Sequence, residues 1–148
     1  MTTYLVTGGA GFIGSNYVRH LFRSEPGATV RNLDALAYAG VRATVDELDE
    51  LGDHHFIHGD IRDGKAVAEA VDGVDAVIHF AAESHVDRSI SGPAAFHETN
   101  VVGTGVFIDA AHKAGVERFV HVSTDEVYGS LDTGFAKETD LLAPSSPY

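Results

Sequence analysis

Residues 4 to 22 open with a short apolar run, pass through four glycines in seven residues (Gly8, Gly9, Gly11 and Gly14), and continue with Phe12, Ile13, Tyr17, Val18, Leu21 and Phe22 at helical spacing. This pattern reads as strand, tight turn and helix. Gly8, Gly11 and Gly14 satisfy G-x-x-G-x-x-G, and Gly9, Gly11 and Gly14 also satisfy G-x-G-x-x-G. Such glycines permit the turn, let a pyrophosphate approach the backbone and allow the helix to pack closely on its strand. The helix N-terminus meanwhile offers free N–H groups and a partial positive charge. Asp34 lies twenty residues after Gly14, at the end of the next predicted strand, where a carboxylate accepts both ribose hydroxyls and repels a 2′-phosphate. The motif therefore predicts a dinucleotide site that takes NAD in preference to NADP; the plainer alternative is glycines that only make a turn.

The rest of the chain fits the same plan. Predicted buried strands cover 29–34, 54–60, 75–81 and 118–123, each short and rich in β-branched or aromatic residues. Helical patterns fit between most of them, the longest between Pro93 and Ala114, with Phe96, Val101, Val106, Phe107 and Ala110 facing the core and Gly115 as its C-terminal cap. Tyr4, Tyr17, Phe80, Phe107 and Phe119 are assigned to the core. Alternation of this kind implies an α/β fold, a doubly wound parallel sheet with helices on both faces. The last stretch, 131–148, reads as irregular. Asp60 closes the third predicted strand, where with Ile61 it meets an adenine or serves as an ordinary helix cap.

The chain has 148 residues, room for one core. Ten Lys and Arg against 22 Asp and Glu leave a net charge of −12 with both signs dispersed, which argues against a nucleic-acid or anionic-membrane partner. The absence of cysteine rules out disulfides and thiolate chemistry, and the cytoplasm is the expected setting. The N-terminus shows neither a signal peptide nor a membrane span. The nine histidines show no tight ligand spacing, so no metal site is expected.

Taken together, TGGAGFIGSN, NLDALAYAG, GDIRD, HFAAESHVDRSI, TNVVGT, STDEVYG and PSSPY resemble the extended short-chain dehydrogenase/reductase family, in its branch of nucleotide-sugar 4,6-dehydratases. STDEVYG and AAESHVDRSI separate that branch from the sugar-nucleotide epimerases. The resemblance implies an NAD-binding Rossmann domain over residues 1–148, with dTDP-glucose or a related nucleotide sugar as substrate. It further implies that hydride leaves C4 of the sugar for NAD while Tyr148 removes the C4 hydroxyl proton and Thr124 hydrogen-bonds the same oxygen. Glu126 then takes the C5 proton, Asp125 protonates the departing C6 hydroxyl, and the hydride returns to C6. By the same resemblance Asp60 and Ile61 meet the adenine, Ala81 and Ala82 let the ribose or nicotinamide lie close, and Ser84 and His85 face the substrate. Thr99 supports the cofactor and Asn100 the substrate and its water network; a buried Asn that satisfies a helix is the other reading of Asn100.

The chemistry is coherent, because an acid and a base acting on adjacent carbons must hold opposite protonation states. For Asp125-Glu126 the bland alternative is a solvated acidic turn. The family also places a lysine four residues beyond the tyrosine, and there is no residue 149. A free tyrosine, with its pKa of about 10, lacks that help toward ionisation. The chain is thus expected to be the N-terminal part of the enzyme, inactive by itself, and to lack both the substrate domain and one helix of the family's homodimer interface. Two further readings are a non-catalytic NAD-binding module and an epimerase or decarboxylase of another nucleotide sugar.

Overall fold

The computed structural model describes residues 1–148. Five parallel strands, β1 (Thr3–Thr7), β2 (Thr29–Asp34), β3 (Asp53–His58), β4 (Ala76–His79) and β5 (Arg118–His121), form one sheet in the order β3-β2-β1-β4-β5. The chain winds outward from β1 to β3, returns to the far side of β1 and continues to β5. The strand order therefore reverses at β1, and a crevice opens beyond the carboxyl ends of β1 and its neighbours.

Successive residues of a strand point to opposite faces, and β1 divides the core accordingly. Leu5 joins Leu33, Val77, Ile61, Val67, Phe107 and Ala111 in one cluster, beneath α3 (Gly64–Val71) and α6 (Thr104–Lys113). Val6 joins Val30, Val18, Leu21 and Leu48 in a smaller one, beneath α1 (Phe12–Ser24) and α2 (Arg42–Asp49). Helices thus cover both faces, as the alternating pattern predicts. Phe107 is fully buried, while Tyr4, Tyr17, Phe80 and Phe119 pack at the margins of the two clusters.

The long helical stretch departs from expectation. After α4 (Val86–Ser91), which the polar sequence around it concealed, α5 (Pro93–Phe96) runs into a π-helical segment, His97–Gly103, and then into α6. Val101, expected in the core, is 66% exposed. The expectation assumed a 3.6-residue period, and the wider π turn carries Val101 and Val102 outward. Beyond α6, Gly115 N–H donates to the His112 carbonyl and Val116 N–H to the Ala111 carbonyl, the paired bonds of a Schellman cap. Residues 131–148 form neither helix nor strand. β5 is an edge strand, and Val120 and Val122 are 45% and 41% exposed there.

His79, near the middle of the sheet, is fully buried. Its Nδ1 lies 2.6 Å from Thr7 Oγ1 and its Nε2 3.1 Å from Thr104 Oγ1. Thr7 Oγ1 also accepts from Ala81 N–H at 3.1 Å. One neutral imidazole therefore ties β1, the loop after β4 and α6 together. Burial, aided by His121 stacked 5.2 Å away, pushes its pKa down to about 4. Unfolding frees the ring to titrate near 6.5, so the unfolded state binds the extra proton between these values. His79's share of stability is complete above pH 6.5 and falls as the pH drops to about 4, by up to about 3 kcal/mol. Denaturant titrations across this window should show a steeper loss for the native protein than for His79→Gln; parallel curves would refute the assignment.

Candidate dinucleotide and active site

β1 delivers the chain to a turn built from close contacts. Gly8 has φ +70°, and a Cβ there would lie 2.9 Å from the Ala81 nitrogen; a Cβ on Gly14 would overlap the Gly8 carbonyl oxygen. No other residue fits these two positions without moving the backbone. Gly11 N–H closes the turn on the Gly8 carbonyl at 3.1 Å. α1 then starts without a side-chain cap, and no backbone carbonyl accepts from Phe12 or Ile13. Phe12 and Ile13, 85% and 64% exposed, lie with Gly8, Gly11 and Gly14 on the wall of a cavity of about 530 Å³. Glycines that leave a cradle and N–H groups that lack partners fit a pyrophosphate at this helix N-terminus.

Asp34 is buried at the end of β2 and pins the turn. Its Oδ2 accepts from Ala10 N–H at 2.9 Å and its Oδ1 from Leu36 N–H at 2.7 Å. Each oxygen keeps a further lone-pair direction, and Asp34 lines the cavity, so it serves the turn and remains placed for a ribose. Asp60 and Ile61 line the cavity too. Asp60 is not the helix cap: Asp63 caps α3 by accepting from Lys65 and Ala66 N–H. Arg62 instead grips Asp60 at 2.6 Å, and this guanidinium holds the Asp60 carboxyl below the usual carboxylate range. Arg62 reaches the cavity as well, and with its charge committed to Asp60 and Glu98 it is not free for a 2′-phosphate.

The loop after β4 supplies another wall, with Ala81, Ala82, Ser84 and His85 all lining the cavity and Thr99 entering from the π segment. Asn100 does not line it. Its Oδ1 accepts from Glu83 N–H at 2.8 Å and its Nδ2 donates to the Glu83 carbonyl at 2.9 Å, so the amide is spent on holding the loop. At the end of β5, Ser123 and the terminal Tyr148 reach the cavity. The Tyr148 ring meets buried Phe96 edge to face at 6.1 Å. Thr124 caps a 3₁₀ turn, Asp125–Tyr128, by accepting from Glu126 N–H. Asp125 is exposed and Glu126 half-buried, and Thr124, Asp125 and Glu126 stand beside the cavity wall and not on it. The sequence reading missed Tyr38, Arg62 and Glu83, which also line the cavity; their places inside NLDALAYAG, GDIRD and AAESH were the signal that could have flagged them. Asn100→Ala should leave the Glu83 amide unpaired and cost about 1–3 kcal/mol. Denaturant titration and faster hydrogen exchange at Glu83 would register it, whereas unchanged exchange would contradict this role.

Comparison with known proteins agrees with this geometry. The family model described as GDP-mannose 4,6 dehydratase matches residues 5–148. The low-salt glycan biosynthesis protein Agl12 of Haloferax volcanii is 51% identical over 97% of the chain and 46% of its own length. A dTDP-glucose 4,6-dehydratase of Streptomyces antibioticus is 50% identical over 97% of the chain and 44% of its own. The chain thus spans about half the length of the curated relatives it matches. Among solved structures, the dTDP-glucose 4,6-dehydratase DesIV of Streptomyces venezuelae, with NAD and TYD bound, superposes with a TM-score of 0.93 at 54% identity, covering 99% of the chain and 47% of DesIV. A UDP-Glc/GlcNAc 4-epimerase of Campylobacter jejuni reaches the same TM-score at 31% identity, covering 100% of the chain and 45% of its own. With the model matched from the middle of β1 to the last residue, the chain belongs to the GDP-mannose 4,6 dehydratase family.

Proposed function

We propose that these residues form the NAD-binding part of an enzyme that dehydrates dTDP-glucose to dTDP-4-keto-6-deoxyglucose. The observation that carries this reading is the convergence on one cavity of the glycine turn, Asp34, the Ala81–His85 loop and Tyr148, with the Thr124-Asp125-Glu126 turn adjoining it at the carboxyl end of β5. Asp34 orients the adenosine ribose, and the free N–H groups at the start of α1 hold the pyrophosphate. NAD, when bound, supplies the place where the hydride from C4 of the sugar is held until its return to C6. Tyr148 takes the C4 hydroxyl proton, with Thr124 on the same oxygen. Glu126 removes the C5 proton, made acidic by the new ketone, and gives a proton back to C5 at the end, while Asp125 gives a proton to the C6 hydroxyl as it leaves as water. Ser84 and His85 contact the sugar nucleotide, and Asn100 acts through the Glu83 backbone. Higher identity to dTDP-glucose dehydratases than to a UDP-sugar epimerase of equal TM-score supports dehydration over epimerisation.

A homodimer through the long helix goes with this reading, supported by Val101, Val102 and Ile108, which are 48–66% exposed along it, as does a cytoplasmic setting; no helix is long and apolar enough to cross a membrane. A second reading, cofactor binding without turnover, is favoured by the position of Asp125 and Glu126 outside the cavity wall.

Two measurements separate the readings. NAD titrated into the chain should bind stoichiometrically, and dTDP-glucose added to a chain extended through the lysine and substrate domain that the family carries should lose one water by mass spectrometry; NAD binding without product in that longer chain would favour the second reading. Where turnover is seen, Glu126→Gln should keep NAD binding and C4 oxidation while slowing water loss about a hundredfold or more. Undiminished water loss in that variant would remove Glu126 as the C5 base.

A further inference from the structure

Two loops rise on either side of the glycine turn, residues 35–41 after β2 and residues 80–85 after β4. β2 and β4 both flank β1, so their ends stand about 9–10 Å apart, two strand spacings. Tyr38 closes that gap. Its hydroxyl accepts from Ser84 N–H at 3.2 Å and lies 3.0 Å from Ser84 Oγ. On the ring, the Arg88 guanidinium carbon sits 3.9 Å from the centroid, and Arg88 reaches on to Glu83 at 3.6 Å. The His85 ring stands 6.3 Å from the Tyr38 ring. Both loops carry backbone strain, with Leu36 at φ +50° and His85 at φ +82°, conformations that side-chain-bearing residues hold only when neighbouring contacts impose them. Tyr38 is 49% exposed, so burial does not account for its contacts.

We propose that Tyr38, Ser84 and Arg88 form a clasp that retains the dinucleotide: closed, it bars both exit and entry over the glycine turn, and it opens only for cofactor exchange. Tyr38 and Arg88 are positioning residues in this scheme, since they act on the loops. The inference rests on the proposed function in one respect: a reaction that takes a hydride and gives it back leaves its cofactor unchanged, so a retained cofactor serves every turnover. A stacked guanidinium and hydrogen bonds to one hydroxyl suit the task, because each contributes modestly and the loops can part without unfolding the sheet.

The test follows NAD association with and dissociation from the 148-residue chain by stopped-flow displacement. Tyr38→Phe removes the hydroxyl and keeps the ring, and should speed dissociation about fivefold. Arg88→Ala should do the same, and Arg88→Lys should restore part of the slow rate. Association should also quicken, because an open mouth admits as readily as it releases; a purely structural defect would slow association and lower the melting temperature. The Tyr38→Phe/Arg88→Ala double variant should be little faster than the faster single variant, as expected when both residues belong to one device. Dissociation at the native rate in both single variants, or slower association with a lowered melting temperature, would overturn the clasp while leaving NAD binding intact. Absence of NAD binding by the native chain would overturn the proposed function and the clasp with it.

Discussion

A single buried carboxylate holds the site in register. Asp34 accepts from Ala10 in the glycine turn and from Leu36 in the loop after β2, so the end of one strand is bonded to the turn that follows its neighbour. Because the sheet is parallel, these points meet only if β1 and β2 pair in register, and Thr7 does lie opposite Leu33. The turn in turn presses Gly8 against Ala81, which sets the loop after β4. Removing this carboxylate would strand two N–H groups, so one side chain that can face a ribose also supports the platform beneath it.

The polar network on the other side of β1 does similar work without charge. Thr7, His79 and Thr104 link β1, β4 and α6, and Ala81 joins them through Thr7. Asn100 extends the same support to Glu83. The cavity wall formed by Ala81–His85 is thus fastened from beneath, from the π segment and, through Tyr38, from across the turn. A wall secured on three sides suits a site whose ligand must keep its place.

Much of this was legible in the sequence, for physical reasons. β2 was placed to the residue because its apolar run ends in Asp34, and the glycine turn because its backbone geometry admits few residues. Strand ends elsewhere shifted by one or two residues, since pairing with a neighbour decides where a strand stops. Val101 was misplaced because apolar spacing cannot reveal a π turn. Asp60 offered two readings until the structure gave the cap to Asp63 and the carboxylate to Arg62. Asn100 carries a family resemblance to a substrate residue, yet only coordinates could reveal that its amide faces Glu83. Tyr38 and Arg88 are fifty residues apart, and no local pattern announces that they meet.

The two cores differ in size, and this bears on how the molecule breathes. The contiguous cluster under α1 and α2 holds five buried hydrophobic residues against ten under α3 and α6, and buried Val45 of α2 stands outside it. Excursions that open part of a protein favour regions with fewer mutually packed residues, so α1 and α2, over the smaller cluster, should part from the sheet more often than α3 and α6. The glycine turn that begins α1 belongs to this looser side. A dinucleotide bound there would hold down the half of the molecule with the smaller contiguous cluster, and slow exchange of α1 amides would report an occupied site.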